Sequence, residues 1–371
     1  MWPERAKTFL GTAAIVMLAA CSKMSFTPAG TMQGATQAGS TRLSSPILSR
    51  HDVPLAALPE IRRLVHPPTP QRGARPFIGG VMYTAQYYGN DVKIYSVHQT
   101  DLKYVEQLTS GLVHPQGMAT TPNLVSQGLS AALRVRVHPN WSSNGGWYIA
   151  NTGASNIPIF ISTPSGPQGP IATLQDPGQY PIDVAASVTH QFVVVSNAFS
   201  TSLGSGSLSI FPASASLPNS YLSVSDYVQG SGVAVDSKGN CYWSYDDLQN
   251  FSASIVEFPS CEGSAQTIVS GLGAAGGLAF DRSDNLYYVD QLAGVYKCTK
   301  TSSPCSLLSA DFGDPVFLNF DKSWEDLWVS DAAGYIDAVD PQSGAIISST
   351  PATSGRSDPP IGIAPAPAAR Y

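Results

Sequence analysis

Cysteine and histidine are the residues of this 371-residue chain whose chemistry depends most on spacing, and there are five of the first and six of the second. Cys241, Cys261, Cys298 and Cys305 form an even set once Cys21 is set aside. Cys298 and Cys305 are close enough to staple a hairpin, which leaves Cys241 to pair with Cys261, as expected in an oxidising compartment. Zinc is the competing use of four thiols. These spacings lack the paired knuckles of a thiolate site and no histidine lies nearby. His51 and His66 precede the folded region, and His98, His114, His138 and His190 are scattered. There is no Gly-x-Ser-x-Gly elbow, no His-Glu-x-x-His and no phosphate-cradling Gly-rich loop followed by Lys. The sequence therefore assigns no catalytic residue and no metal ligand.

Cys21 stands apart because of what precedes it. Arg5 and Lys7 supply a cationic start, and Thr8 to Ala20 is an uncharged run of thirteen residues. That is the layout of an export signal, too short for a bilayer span of roughly twenty residues. Leu18-Ala19-Ala20-Cys21 has the form of a lipobox, so residues 1–20 are expected to be removed and Cys21 to carry a diacylglyceryl group. Ser22 stands where an inner-membrane retention Asp is found in some lipoproteins, which favours the outer membrane in a host that has one. The expected location is the cell envelope, with the domain outside the cytoplasm and the membrane as a partner through the lipid. Residues 21–75 are rich in Ser, Thr, Gly, Ala and Pro, with Pro54, Pro59, Pro67, Pro68 and Pro70 breaking any regular element. They read as a tether about 40 Å in mean span.

The composition limits what the remaining chain, residues 76–371, can be. Without Arg5, Lys7 and Glu4 the chain holds 18 Lys+Arg and 25 Asp+Glu, a net charge of −7, so nucleic acid is not an expected partner. Charged residues are 12%, while Gly and Pro number 33 and 29, the balance of many short strands joined by turns.

A strand rich in Tyr, Trp and Val recurs six times: Met82-Tyr83-Thr84-Ala85, Trp147 to Asn151, Val193 to Asn197, Cys241 to Tyr245, Leu286 to Asp290 and Leu327 to Asp331. Aligned on Tyr83, Tyr148, Val194, Tyr242, Tyr287 and Trp328, the spacings are 65, 46, 48, 45 and 41 residues. The preceding strand is equally regular in Gly232-Val233-Ala234-Val235-Asp236, Gly277-Leu278-Ala279-Phe280-Asp281 and Phe317-Leu318-Asn319-Phe320-Asp321. Such short strands bury both faces only in stacked four-stranded sheets. The expected fold is all-β, a six-bladed β-propeller. Pro360-Ile361-Gly362-Ile363-Ala364 is expected to close the ring by completing the blade that holds Met82. The long first spacing has two solutions. Either Gly117-Met118-Ala119 is the inner strand and the extra segment follows it, or Leu133 to Val137 is the inner strand and the segment precedes it.

The unit Gly-(Val/Leu)-Ala-(Val/Phe)-Asp, a turn, then an aromatic strand ending in Asp or Asn resembles the NHL-repeat propellers and the wider gluconolactonase-like and streptogramin-lyase-like group. The resemblance covers about Phe77 to Ala368. It departs after Asp290 and Asp331, where the Asn-Arg pair of many NHL repeats is absent. It implies a fold and leaves the activity open, since such relatives include scaffolds, lactonases and lyases. Gluconolactonase-like members hold a divalent cation such as calcium in the channel through Glu, Asn and Asp. That set has no counterpart in the sequence, so a cation belongs only to the alternative reading of a metal-dependent hydrolase or lyase.

In propellers the loops leading into the inner strands face the usual binding surface. Here they offer His114 and Gln116, Tyr180, Tyr227 and Asp314, and the loops after the second strands add Tyr87, Tyr88, Tyr245, Asp246 and Asp247. With Asp290 and Asp331 at strand ends, these form an expected rim of aromatics and acids suited to sugars, peptides or cationic ligands. The function expected is a ligand- or protein-binding module without catalysis; a structural scaffold is the third reading.

Overall fold

The computed structural model describes residues 80–121 and 146–366, with short breaks at 99, 164–165, 188–189, 202–203, 213–214, 322–324 and 354. The export signal, Cys21, the tether and residues 122–145 lie outside the described residues.

Among those residues 24 strands form six four-stranded antiparallel sheets. Strands β1 (Gly80–Gln86), β2 (Asp91–His98) and β3 (Asp101–Leu108) belong to blade 1. Blade 2 is β4 (Pro115–Thr121), β5 (Gly146–Asn151), β6 (Asn156–Thr163) and β7 (Gly166–Gln175). Blade 3 is β8 (Gln179–Ser187), β9 (Phe192–Ser200), β10 (Ser207–Pro212) and β11 (Ser220–Leu222). Blade 4 is β12 (Val228–Val235), β13 (Cys241–Asp247), β14 (Ser252–Phe258) and β15 (Gln266–Leu272). Blade 5 is β16 (Ala275–Phe280), β17 (Leu286–Asp290), β18 (Gly294–Thr299) and β19 (Ser302–Ser309). Blade 6 is β20 (Pro315–Phe320), β21 (Leu327–Asp331), β22 (Tyr335–Val339) and β23 (Ile346–Pro351). The last strand, β24 (Pro360–Ala366), supplies the inner strand of blade 1 and pairs with β1 from Val81↔Ala366 to Gln86↔Pro360. Inner strands neighbour one another in the order β24, β4, β8, β12, β16, β20 and back to β24, so the ring is closed.

The second strands explain why the blades stack. β5, β17 and β21 are buried along their whole length, so both faces of each sheet need a neighbour. Six apolar clusters supply this, one at each interface between blades. Trp147 of blade 2 stacks on Tyr83 of blade 1 at 3.8 Å between centroids. Aromatic edges meet again between Tyr242 and Phe280, and between Tyr287 and Phe320. Each such pair adds about 0.5–1.5 kcal/mol beyond the area buried. Hydroxyls on the second strands reach across the same seams: Ser244 Oγ donates to the Gly276 carbonyl at 2.6 Å, and Trp243 Nε1 donates to Ser196 Oγ at 2.9 Å.

The Asp that ends an inner strand folds the turn to the next one. Asp236 Oδ1 accepts the Lys238 and Asn240 amides and Oδ2 accepts Asn240 Nδ2; Asp281 repeats this with Ser283 and Asn285. We call the side bearing these turns the lower face. The loops leading into the inner strands form the upper face. Because β4 contains Gly117 and β5 starts at Gly146, the extra segment follows the inner strand and leaves from the lower face.

Both expected disulfides are formed. Cys298–Cys305 ties β18 to β19, and Cys241–Cys261 ties the start of β13 to the turn after β14. In the chain-entropy picture the wider loop is worth about 3 kcal/mol and the tighter one about 2. Replacing Cys241 and Cys261 together by Ser is expected to lower unfolding free energy by about 3 kcal/mol in denaturant titration. A loss no larger than that of the Cys298/Cys305 pair would contradict the loop-length argument.

Candidate functional site

The channel inside the ring differs at its two ends. At the upper end Ile182 and Ala198 of blade 3, with Tyr180 and Phe199 against them, share one apolar cluster with Val316 of blade 6 and Ile361 and Ile363 of blade 1. Blades 3 and 6 are on opposite sides of a six-membered ring, so these side chains meet across the channel. Below them lies a cavity of about 470 Å³, walled by residues such as Met118, Val184, Val233, Leu278, Leu318 and Ile363. It reaches Arg282 and Asp321 at the turns of the lower face.

Asp183 is the one acidic or basic side chain on the six inner strands. It lines this cavity and is 6% exposed. Its Oδ2 accepts the Val233 amide of blade 4 at 2.9 Å. On the other side it lies against Gly117 of blade 2, where any Cβ would collide with the carboxyl. Burial away from water pushes the carboxyl up to about 8, against the lesser opposing effect of the Val233 and Val184 amides. The acid is therefore neutral at pH 7.

The expected rim residues are spread over all six blades, and most are engaged in holding loops. His114 has φ of 52°; its amide donates to Asn90 Oδ1 at 2.8 Å, its ring stacks on the buried Tyr87, and Nδ1 lies 3.0 Å from the Tyr87 carbonyl. Gln116 is buried, and its Nε2 donates to Thr152 Oγ1, which donates in turn to the Pro181 carbonyl. Tyr180 packs on the cluster that crosses the channel. Tyr245 packs beside Trp243, with ring centroids 5.2 Å apart. Asp246 Oδ1 accepts the Ala275 amide of blade 5, and burial followed by repulsion from Asp290 pushes its carboxyl up to about 7, opposed by that hydrogen bond. Asp290 accepts the amides of Gly273, Ala274 and Leu292, and Asp331 those of Gly313, Asp314 and Ala333. Asp314 is thus joined to Asp331 through its backbone. A strand-ending Asp or Asn that gathers loop amides is turn chemistry; Asn151 does the same for Val113.

Three aromatic side chains of the upper face are displayed to solvent, Tyr88 at 50%, Tyr227 at 59% and Phe251 at 78% exposure, and Val113 and Leu292 are exposed in neighbouring loops. Tyr227 and Phe251 have φ of 66° and 51°, and the Leu248 amide donates to the Tyr227 carbonyl at 3.0 Å, which joins their loops. Phe251 carries no sequence signal, because exposure and left-handed backbone follow from how two loops meet. Asp183 does carry one. Gly117, Gly232, Gly277 and Gly362 occupy the same place in other inner strands, and an acid there interrupts an apolar repeat.

A channel cation of the gluconolactonase-like kind needs several converging oxygens. Among the described residues no three His, Cys, Asp or Glu side chains come together for a metal, and the inner strands do not supply the set.

No family model matches the chain, and no curated protein matches it either. Among solved structures it is similar to a calcium-binding protein, regucalcin, from Agrobacterium tumefaciens strain C58, at 10% identity over 64% of this chain and 74% of that one, with a TM-score of 0.44. A likeness at that level carries nothing about ligand or activity.

The Asp183 proton has a measurable consequence. Unfolded, the carboxyl titrates near 4; folded, at about 8. The folded state alone holds the proton between those values, so this contribution is complete below pH 4 and is lost as pH rises to 8. Asp183→Asn is expected to gain stability over the natural chain at pH 8 and to lose most of that gain at pH 5, in urea titrations at both values. A gain larger at pH 5 would mean that the folded carboxyl is ionised.

Proposed function

We propose that this NHL-like propeller is held on the cell envelope by a lipid on Cys21 and acts as a binding module without catalysis, receiving a cationic polypeptide on its upper face. The observation that supports this most is the pair Tyr227 and Phe251, both exposed in left-handed backbone on two loops joined by the Leu248–Tyr227 hydrogen bond. A bulky side chain at such φ costs about 1–3 kcal/mol and persists where surrounding structure imposes it, often at ligand clamps.

The charge of the upper face is mainly negative. Asp226, Asp311 and Asp358 stand in the loops of this face and Asp247 ends β13 at its edge; the described residues of these loops contain Arg356 as their one Lys or Arg, and Lys93 of β2 lies near Asp358. Lys238, Arg282 and Lys300 stand in turns of the lower face. Aromatic faces beside carboxylates attract Lys and Arg side chains through the ring quadrupole and through charge complementarity. The tether length suits presentation of the face clear of the lipid surface.

Fluorescence anisotropy with a labelled Lys/Arg-rich peptide tests the reading. Binding is expected to weaken with salt, to fall about tenfold in a Tyr227→Ala/Phe251→Ala variant, and to be absent for a Glu-rich peptide. Equal binding of both peptides, or indifference to the double substitution, counts against it. Labelled palmitate should enter the natural chain in cells and not its Cys21→Ser variant; equal labelling removes the anchor.

A further inference from the structure

We propose that the channel is a second binding site, reached from the lower face, for a compact apolar molecule bearing one hydrogen-bond acceptor, which Asp183 holds at the inner end of the cavity. It is separate from the peptide reading, since the apolar cluster across the ring lies between it and the upper face.

Three observations carry this. First, the cavity has about 470 Å³, in the range that encloses a small organic ligand, and its walls are mainly apolar. A chain of ordered waters needs two to four polar partners per molecule, and the walls offer few side chains able to serve. Second, one polar side chain is fixed deep in the wall: Asp183 is 6% exposed and oriented by the Val233 amide. The absence of a Cβ at Gly117 gives the carboxyl its place. Third, only the Val233 and Val184 amides favour the anion from close by, and the charged groups that line the cavity, Arg282 and Asp321, stand at its lower turns. Of the strands that pack against or pair with β8, β4, β9 and β12 carry no charged or titratable side chain and β5 adds only the phenol of Tyr148; β16, β20 and β24 across the channel carry none.

A carboxyl kept neutral by burial has an O–H to donate as well as oxygens that accept. Its acceptor sites face the Val233 and Val184 amides. A ketone, ester or alcohol oxygen entering with an apolar body takes the donor, while the body covers the Val, Leu and Ile walls. An aliphatic amine would instead draw the proton off and require the carboxylate.

The test uses the full chain and the fluorescent apolar dye N-phenyl-1-naphthylamine, displaced by decane, 2-decanone or decylamine. The ketone is expected to displace the dye about tenfold more effectively than decane, and this preference is expected to fade above pH 8. Asp183→Leu should keep dye uptake and lose the preference. Ala185→Phe, at a partly exposed position of the cavity wall, should reduce dye uptake itself. Equal displacement by ketone and alkane, a preference for the amine, or dye uptake unchanged by Ala185→Phe would each overturn the proposal. Should a variant fail to fold, the ketone preference and pH profile of the natural chain decide it alone.

Discussion

A sheet that is apolar on both faces has no stable edge in a row of sheets, and this constraint governs the whole molecule. Five seams follow from simple succession along the chain. The sixth exists because β24 lies on β1 and brings Ile363 into the cluster that holds Met82, Tyr95, Phe317 and Trp328. Without that pairing two large apolar faces would be open to water at about 25 cal/mol per Å². The channel geometry, the two faces and the buried acid all depend on the seam being shut.

The recurring acids are explained by the same architecture. Asp236 and Asp281 fold the lower turns, while Asp290 and Asp331 gather the loops of the upper face. In blade 5 the second strand thus runs between a lower turn folded by Asp281 and a strand-ending Asp290. A chain with only 12% charged residues places several of its carboxylates in such turns, which leaves the displayed aromatics as the more distinctive chemical feature of the upper face.

Much of this was legible in the sequence because it follows from local pattern. The six aromatic strands, the closing strand and the cysteine pairs each follow from type and spacing. The choice between Gly117 and Leu133 as the inner strand did not, since both segments are apolar enough to read as strands. Packing decides it: inner strands approach so closely that a Cβ at Gly117 or Gly362 would collide with the adjacent inner strand. Of the residues expected in rim loops, His114, Tyr227 and Asp314 lie in loops, whereas Gln116, Tyr180, Tyr245, Asp246 and Asp247 fall within strands β4, β8 and β13, and what each of them bonds to is a tertiary fact. His114, with its ring on Tyr87 and its amide on Asn90, shows the difference.

The pairing of β24 with β1 also orders events in time. β1 emerges early in the described chain and its inner partner emerges last, so the most distant contact in the sequence is the one that completes the ring. Until then β1 has an open backbone edge beside the Tyr83–Trp147 stack, and open edges are templates for pairing with the wrong strand. Contacts of such long sequence separation form slowly. The hazardous interval for this protein is therefore the wait for its final strand, when a second copy offers the same strand to the same edge.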